Sequence, residues 1–384
     1  MTEDFPTYLH IAEHPFYIGL IEAGTPTCVP ASLPFSMGVH PRYAIPRVKV
    51  TEEIRDALDR AYSAGSMCST PLGESRLATV RMDEIIEKIL ALFGGDIAGK
   101  TFLEIGCGNG ELLNQLKLRG ALVTGLEIGP QAEIVEQRYG IKVVRSYLDD
   151  QTFDTKFDCI YSYGCLEHID DLAGFFAASR ACLQEGGLYL HSVPNAALSF
   201  EKVQLDHLLH EHVNYFTPAN GLALLAAQCF GAGGFALSKP GNELMLWGYL
   251  NATAQLRWPE ERVAPESIAL KEYAEKIGQN IDRKFKALQG IIGAGKSLGF
   301  YAGGYEYGYR LNHAGIRYFD GDTYKHGKRW LVGMPAIEAP ASLLEEPLDC
   351  LVVCKPHYFA EISRSLIGLG VNPDSIVSID ALGN

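Results

Sequence analysis

Two spacings of apolar residues alternate through the middle of this chain and predict its layout. Short apolar runs at 101–105, 122–126, 142–145, 157–161, 187–193 and 244–249 read as strands, with helical spacing between most of them. Such alternation implies parallel strands with helices on both faces of the sheet. Residues 265–291 read as one long connecting helix, because Ile268, Tyr273, Ile277, Ile281, Phe285 and Leu288 recur three to five residues apart. A shorter series follows, with strands at 297–301, 316–320 and 350–354 and helices near 307–313 and 359–369. The first hundred residues are harder to read. Prolines at 26, 30, 34, 41 and 46 cut 28–48 into short extended pieces, and helical spacing follows at 52–62 and 80–93. The expected class is α/β: a central doubly wound, Rossmann-like sheet with a small N-terminal cap and a second, smaller C-terminal α/β domain. The expected divisions are 1–79, 80–262, a connecting helix at 263–292, and 293–384.

Composition narrows the function. The 384 residues are 47% hydrophobic and 21% charged, an ordinary globular balance, and carry a formal charge of −13. Without clustered Lys and Arg, a nucleic-acid partner is not expected. Residues 1–6 carry two acids and no apolar core, and no run is long enough to span a bilayer, so no membrane partner is expected. Nine cysteines include no C-x-x-C pair, and several sit inside apolar strands, as reduced structural thiols do. A cytoplasmic location follows as the expectation.

The chemistry begins at residues 101–110, T-F-L-E-I-G-C-G-N-G. An apolar strand carrying Glu104 runs into Gly106, Gly108 and Gly110, and helical spacing starts at once. Glycines suit a cofactor that lies against bare backbone at a strand tip. The dinucleotide fingerprint G-x-G-x-x-G places its third glycine one residue further on. The order found here, acid then G-x-G-x-G, resembles motif I of the class I S-adenosylmethionine-dependent methyltransferases. That resemblance implies an enzyme using S-adenosyl-L-methionine and releasing S-adenosyl-L-homocysteine. It also implies that Glu127, ending the second strand, holds the cofactor ribose. Asp149 would lie near the adenine, and the loop after the fourth strand, with Tyr163 and His168, would border the methionine end. The Gly186-Gly187 turn before the fifth strand matches the family as well.

A second concentration of chemistry lies at Asp206-His207-Leu208-Leu209-His210-Glu211-His212, three histidines and two acids in seven residues. Histidine titrates near neutrality and is the usual proton acceptor, and a neighbouring carboxylate can orient it. Acid–base or substrate contact, packing, and a metal held by His210, His212 and an acid all remain open. Ligands two apart on an extended segment depart from the helical H-E-x-x-H arrangement, so no metal is expected.

The run His210 to Phe216, with a cap before it and an α/β unit after it, resembles the sugar C-methyltransferase family. The resemblance implies methylation of a carbon next to a keto group on a nucleotide-linked sugar, through an enolate. His212 and Glu211, with His210, become the catalytic candidates. The loop residue His168, Asn195 after the fifth strand, Tyr215, Tyr305 in the glycine turn of the C-terminal unit, and Lys355 become substrate-binding candidates. Two departures stand out. The family has Tyr where this chain has Leu209, and a cysteine-bound zinc in a cap that here holds Cys28 and Cys68 alone, so the cap is expected to lack zinc. O-methylation of a sugar or other small metabolite is therefore the alternative, and a non-catalytic cofactor-binding scaffold is the alternative of another class.

Overall fold

Each segment's structure follows from the apolar face it has to bury. The computed structural model describes residues 5–22, 29–64, 71–148, 153 and 155–383; Asp149, Cys28 and Cys68 lie outside them. The proline-broken start holds an antiparallel sheet, β1 (Thr7–Pro15), β2 (Ser32–Val39) and β3 (Pro46–Val48), in that order. Pro15 and Pro46 sit at strand ends, and Pro34 falls between Leu33 and Phe35, where the pairing of β2 with β1 shifts register. Leu9, Phe35, Met37 and Val48 fill its buried face. Two capped helices follow: α1 (Glu52–Ser63), whose Thr51 side chain accepts from Ile54, and α2 (Arg76–Leu92), whose Ser75 does the same for Ala78.

The central unit contains β4 (Thr101–Ile105), α3 (Glu111–Lys117), β5 (Leu122–Leu126), α4 (Gln131–Tyr139), β6 (Val143–Val144) and β7 (Phe157–Tyr163). It continues with α5 (Leu172–Cys182), β8 (Leu183–Pro194), α6 (Ala196–Glu201), α7 (Pro218–Ala227), β9 (Phe230–Leu237) and β10 (Glu243–Leu250). The sheet order is β6-β5-β4-β7-β8-β10-β9. Strands β4 to β8 pair in parallel, as expected, but β10 runs antiparallel to both β8 and β9. The all-parallel expectation is thus corrected at one edge. The sequence did not reveal β9 because F-G-A-G-G-F-A-L is weakened by glycine; pairing with β10 supplies what propensity lacks.

The helix α8 (Val263–Gly293) is 31 residues long and does more than connect. Leu270, Tyr273, Ile277, Ile281 and Leu288 share one buried cluster with Phe35 and Met37 of the N-terminal sheet, Leu209, and Leu298 and Phe300 beyond the helix. The C-terminal unit is β11 (Leu298–Tyr301), α9 (Tyr305–Leu311), β12 (Arg317–Phe319), β13 (Ile337–Glu338), α10 (Ser342–Glu345), β14 (Cys350–Val353), α11 (Phe359–Leu369) and β15 (Ile376–Ser378). Its five strands are parallel, in the order β13-β12-β11-β14-β15. No described helix is long and apolar enough to cross a membrane.

Four histidines are built into the packing. His14 meets the Leu208 carbonyl at 2.6 Å, His191 the Ser162 hydroxyl at 2.6 Å and His210 the Leu33 carbonyl at 3.2 Å, while His40 stacks on Tyr43. Burial foremost pulls His14 down to about 4 and His40, His191 and His210 to about 3. Depressed values favour the neutral form in the fold, so their stabilisation is complete above pH 6.5. It is lost as pH falls from 6.5 through 4 to 3, because the unfolded chain takes up protons that the fold refuses. The stability cost of His210→Ala is therefore expected to shrink as pH falls from about 6.5 to about 4.5, since the unaltered chain alone loses this contribution. A cost that stays constant over that range, measured by urea unfolding, would contradict this account.

Candidate active site

The parallel strands β4, β5 and β7 aim their carboxyl ends at one place, where ligands sit in such sheets. A cavity of about 1770 Å³ opens there, and its walls come from all three parts of the chain. Glu104, Gly106 and Gly108 form one wall, with Glu127 beside them. Gly106 and Gly108 take positive φ, 68° and 51°, which a side chain resists. The Glu127 carboxylate accepts from Gly108 N–H at 3.0 Å through one oxygen and from Gly129 N–H at 2.8 Å through the other. Both oxygens are thereby fixed, each with a lone pair to spare for a hydroxyl. Glu104 is buried, accepts from the Tyr161 hydroxyl at 3.0 Å, and is pushed up to about 8, chiefly by desolvation. Gly110 does not line the cavity. Its role is packing: a Cβ there would meet Val135 at 2.6 Å, inside α4.

The second wall carries titratable groups gathered from distant parts of the sequence. Tyr62 Oη lies 3.2 Å from His168 Nδ1 and donates to Glu211 at 3.2 Å. His168 stands 3.6 Å from Glu211 and 3.7 Å from Glu167, with the His212 ring 5.1 Å away between centroids. One ligand atom from each of Glu167, His168 and His212 falls within 4.8 Å of the others. Burial lowers His168 to about 4 and His212 well below 6.5, and raises Glu167 well above 4.5. At neutral pH the two histidines are therefore uncharged and able to accept a proton, and burial favours the acid form of Glu167.

Local hydrogen bonds hold this wall together. Residues 209–212 form a turn closed by His212 N–H to the Leu209 carbonyl at 3.1 Å, so His210 and His212 leave on opposite sides. The Asn214 amide donates to the Ile169 carbonyl at 2.7 Å, and its backbone N–H to the Glu167 carbonyl at 2.9 Å. Val48 N–H donates to the Val213 carbonyl and Tyr215 N–H to the Pro46 carbonyl, both at 2.9 Å, which pins the segment to β3.

This geometry revises several expectations. Glu211, His212, His168, Tyr163, Tyr305 and Lys355 line the cavity, as do Glu104, Gly106, Gly108 and Glu127. His210 does not. It is fully buried among His14, Phe16 and Phe35, on the far side of the turn. Asn195 caps α6, accepting from Ala197 N–H and donating to the Gly241 carbonyl, and is 4% exposed. Tyr215 is equally buried, bridging the Leu209 N–H and the His207 carbonyl. Both are structural. The cavity also takes in Tyr62, Glu167 and the Arg81–Glu243 pair at 3.2 Å, none of which the sequence singled out. Glu167 could have been flagged as the neighbour of His168 in the loop after β7. Tyr62 had no local signal, because its partners lie 106 and 149 residues away.

Residues 77–228 match the family model described as a methyltransferase domain. The chain carries a methyltransferase domain. A ubiquinone biosynthesis O-methyltransferase of Vibrio parahaemolyticus serotype O3:K6 (strain RIMD 2210633) is 25% identical over 164 residues, 38% of this chain and 68% of that protein. Its counterpart in Aeromonas salmonicida (strain A449) is 27% identical over 158 residues, 36% of this chain and 64% of that protein. The chain thus spans about two thirds of the length of these curated relatives. Among solved structures, the N-methyltransferase NodS from Bradyrhizobium japonicum WM9, in complex with S-adenosyl-L-homocysteine, is 16% identical. That likeness covers 51% of this chain and 98% of NodS, with a TM-score of 0.39.

The two histidines of the turn should respond differently to mutation. His210→Ala is expected to cost about 1–3 kcal/mol of stability through lost packing, while methyl transfer per folded molecule stays within about twofold. Urea unfolding beside a rate normalised to folded protein checks it; a large loss of rate in stable protein would return His210 to the reacting wall.

Proposed function

We propose that this methyltransferase takes its methyl group from S-adenosyl-L-methionine and delivers it to a carbon beside a keto group on a nucleotide-linked sugar. The observation that carries the reading is the single cavity onto which both the glycine loop with Glu127 and the Tyr62–His168–Glu211–His212 wall open. In this reading residues 1–79 cap the site, 80–262 hold the cofactor, 263–292 connect, and 293–384 hold the acceptor. Glu127 takes the ribose hydroxyls, Glu104, Gly106, Gly108 and Tyr163 border the cofactor, and Lys355 and Tyr305 face the acceptor. Buried thiols such as Cys159 and Cys354, pushed up by desolvation, suit a cytoplasmic enzyme.

The reaction needs alignment and the removal of one proton, since the sulfonium supplies its own leaving group. His212, neutral in its buried setting, accepts the α-proton of the acceptor. The C–H electron pair becomes an enolate, whose carbon bonds to the methyl while the S–CH3 pair returns to sulfur, giving S-adenosyl-L-homocysteine. Glu167, whose acid form burial favours and which has one buried oxygen without a partner, would donate to the enolate oxygen. Tyr62 and Glu211 orient His168 alongside.

A second reading, O-methylation, draws on the names of the curated relatives and on Leu209, since a hydroxyl needs one base and no enolate. Exchange of the acceptor's α-proton separates them. With S-adenosyl-L-homocysteine in place of the donor, a nucleotide-linked keto-sugar should lose its α-proton to heavy water, as followed by NMR. His212→Ala should abolish both exchange and turnover, leaving cofactor affinity intact. Methyl transfer without exchange would favour the oxygen acceptor, and full turnover in His212→Ala would remove that residue from the reaction. Glu127→Gln is expected to weaken S-adenosyl-L-methionine binding at least about tenfold, as the loss of paired hydroxyl contacts to an ionised carboxylate implies. Calorimetry checks it, and an unchanged affinity would take the ribose off Glu127.

A further inference from the structure

The C-terminal unit repeats, on its own sheet, the arrangement that Glu127 has in the methyltransferase domain. In the order β13-β12-β11-β14-β15 the connections reverse direction between β11 and β14, and ligands of open parallel sheets bind beyond the strand ends at such a reversal. The turn after β11 is bare there: Ala302, Gly303 and Gly304 all have positive φ, 60°, 134° and 81°. An acid follows the second strand, β12, just as Glu127 follows β5. This is Asp320, 5% exposed, yet on the wall of the main cavity with Gly303.

The hydrogen bonding matches as well. One Asp320 oxygen accepts from the N–H two residues on, Asp322, at 2.9 Å, as one Glu127 oxygen does from Gly129. The other Asp320 oxygen is paired with Lys325 at 2.8 Å, and His326 holds the Asp320 carbonyl at 2.8 Å. Each oxygen keeps a lone pair, and a fixed carboxylate with two of them matches two vicinal hydroxyls. Beside it the Tyr305 ring is held between Tyr17 and Trp330, at centroid distances of 4.8 and 5.5 Å, and all three residues line the cavity, giving its wall an aromatic character.

We propose that Asp320 holds the 2′,3′-diol of the acceptor's nucleoside, so that the acceptor is carried on a ribonucleoside diphosphate and not on its 2′-deoxy form. The inference rests on the nucleotide-linked reading above and adds to it the sugar of the carrier. The two nucleosides in the cavity then have one acid each, Glu127 for the cofactor and Asp320 for the acceptor.

The test uses the full chain saturated with S-adenosyl-L-homocysteine, which occupies the Glu127 side, titrated calorimetrically with UDP, CDP, GDP and ADP and their 2′-deoxy counterparts. At least one ribonucleotide is expected to bind, with its deoxy form at least about tenfold weaker, the size of one charge-assisted hydrogen bond. Asp320→Asn should remove that preference and leave S-adenosyl-L-homocysteine affinity unchanged, which also certifies the fold; the comparison on the unaltered chain needs no variant. Equal binding of ribo and deoxy forms, or an Asp320→Asn protein that still prefers ribose, would overturn the diol assignment and leave the nucleotide-linked reading standing. Binding of S-adenosyl-L-homocysteine with no nucleoside diphosphate of either series would overturn both.

Discussion

The wall of titratable groups depends on how one buried amide is tied down. Asn214 donates to Ile169 behind the His168 loop, accepts from Arg47 in the middle of β3, and passes its backbone N–H to Glu167. Three stretches of chain that are remote in sequence meet on this side chain. Without it the Ile169 carbonyl loses this donor, at a cost of about 1–3 kcal/mol, and the segment carrying Glu211 and His212 loses a tie to the His168 loop. Arg47 in turn pairs with Asp170, which fixes the same loop from the N-terminal side. The N-terminal sheet therefore belongs to the site, even though Tyr62 is the cap residue that reaches the titratable group.

Burial then sets the chemistry. Burial in this wall lowers His168 and His212, favouring their neutral forms, and raises Glu167, favouring its acid form. The same effect acts at the junction with the C-terminal unit. There Asp206 is held down to about 2 despite its burial, mainly by Lys355, and Glu306 is pushed up to about 8 by desolvation and by Asp206. Lys355 thus faces the cavity already paired, so its charge serves first to join the two units.

How much of this was legible in the sequence depended on distance along the chain. The strand, glycine loop and Glu127 were readable because they are local: a period-two run, three glycines and the acid ending the next strand lie within 27 residues, 101 to 127. The long helix was readable for the same reason, its buried positions recurring at helical spacing. The antiparallel edge and the N-terminal sheet were not, since glycine in β9 and prolines around β2 and β3 mask strands that exist through pairing. At the site, alternate positions suggested that His210 and His212 act together, but a turn between Leu209 and His212 separates them. Asn195 and Tyr215 looked like ligand contacts because polar groups near a site do so in sequence; their partners turn out to be backbone groups. Asp149 lies outside the described residues.

The account rests on a division of the cavity, cofactor at the methyltransferase sheet and acceptor at the C-terminal unit, with the methyl group facing the histidines between them. A crystal structure of the chain with S-adenosyl-L-homocysteine bound measures this directly. The account predicts ribose hydroxyls within hydrogen-bond distance of Glu127 and the sulfur turned towards His168 and His212. Adenosine bound at Asp320, or a sulfur facing away from the two histidines, would contradict it.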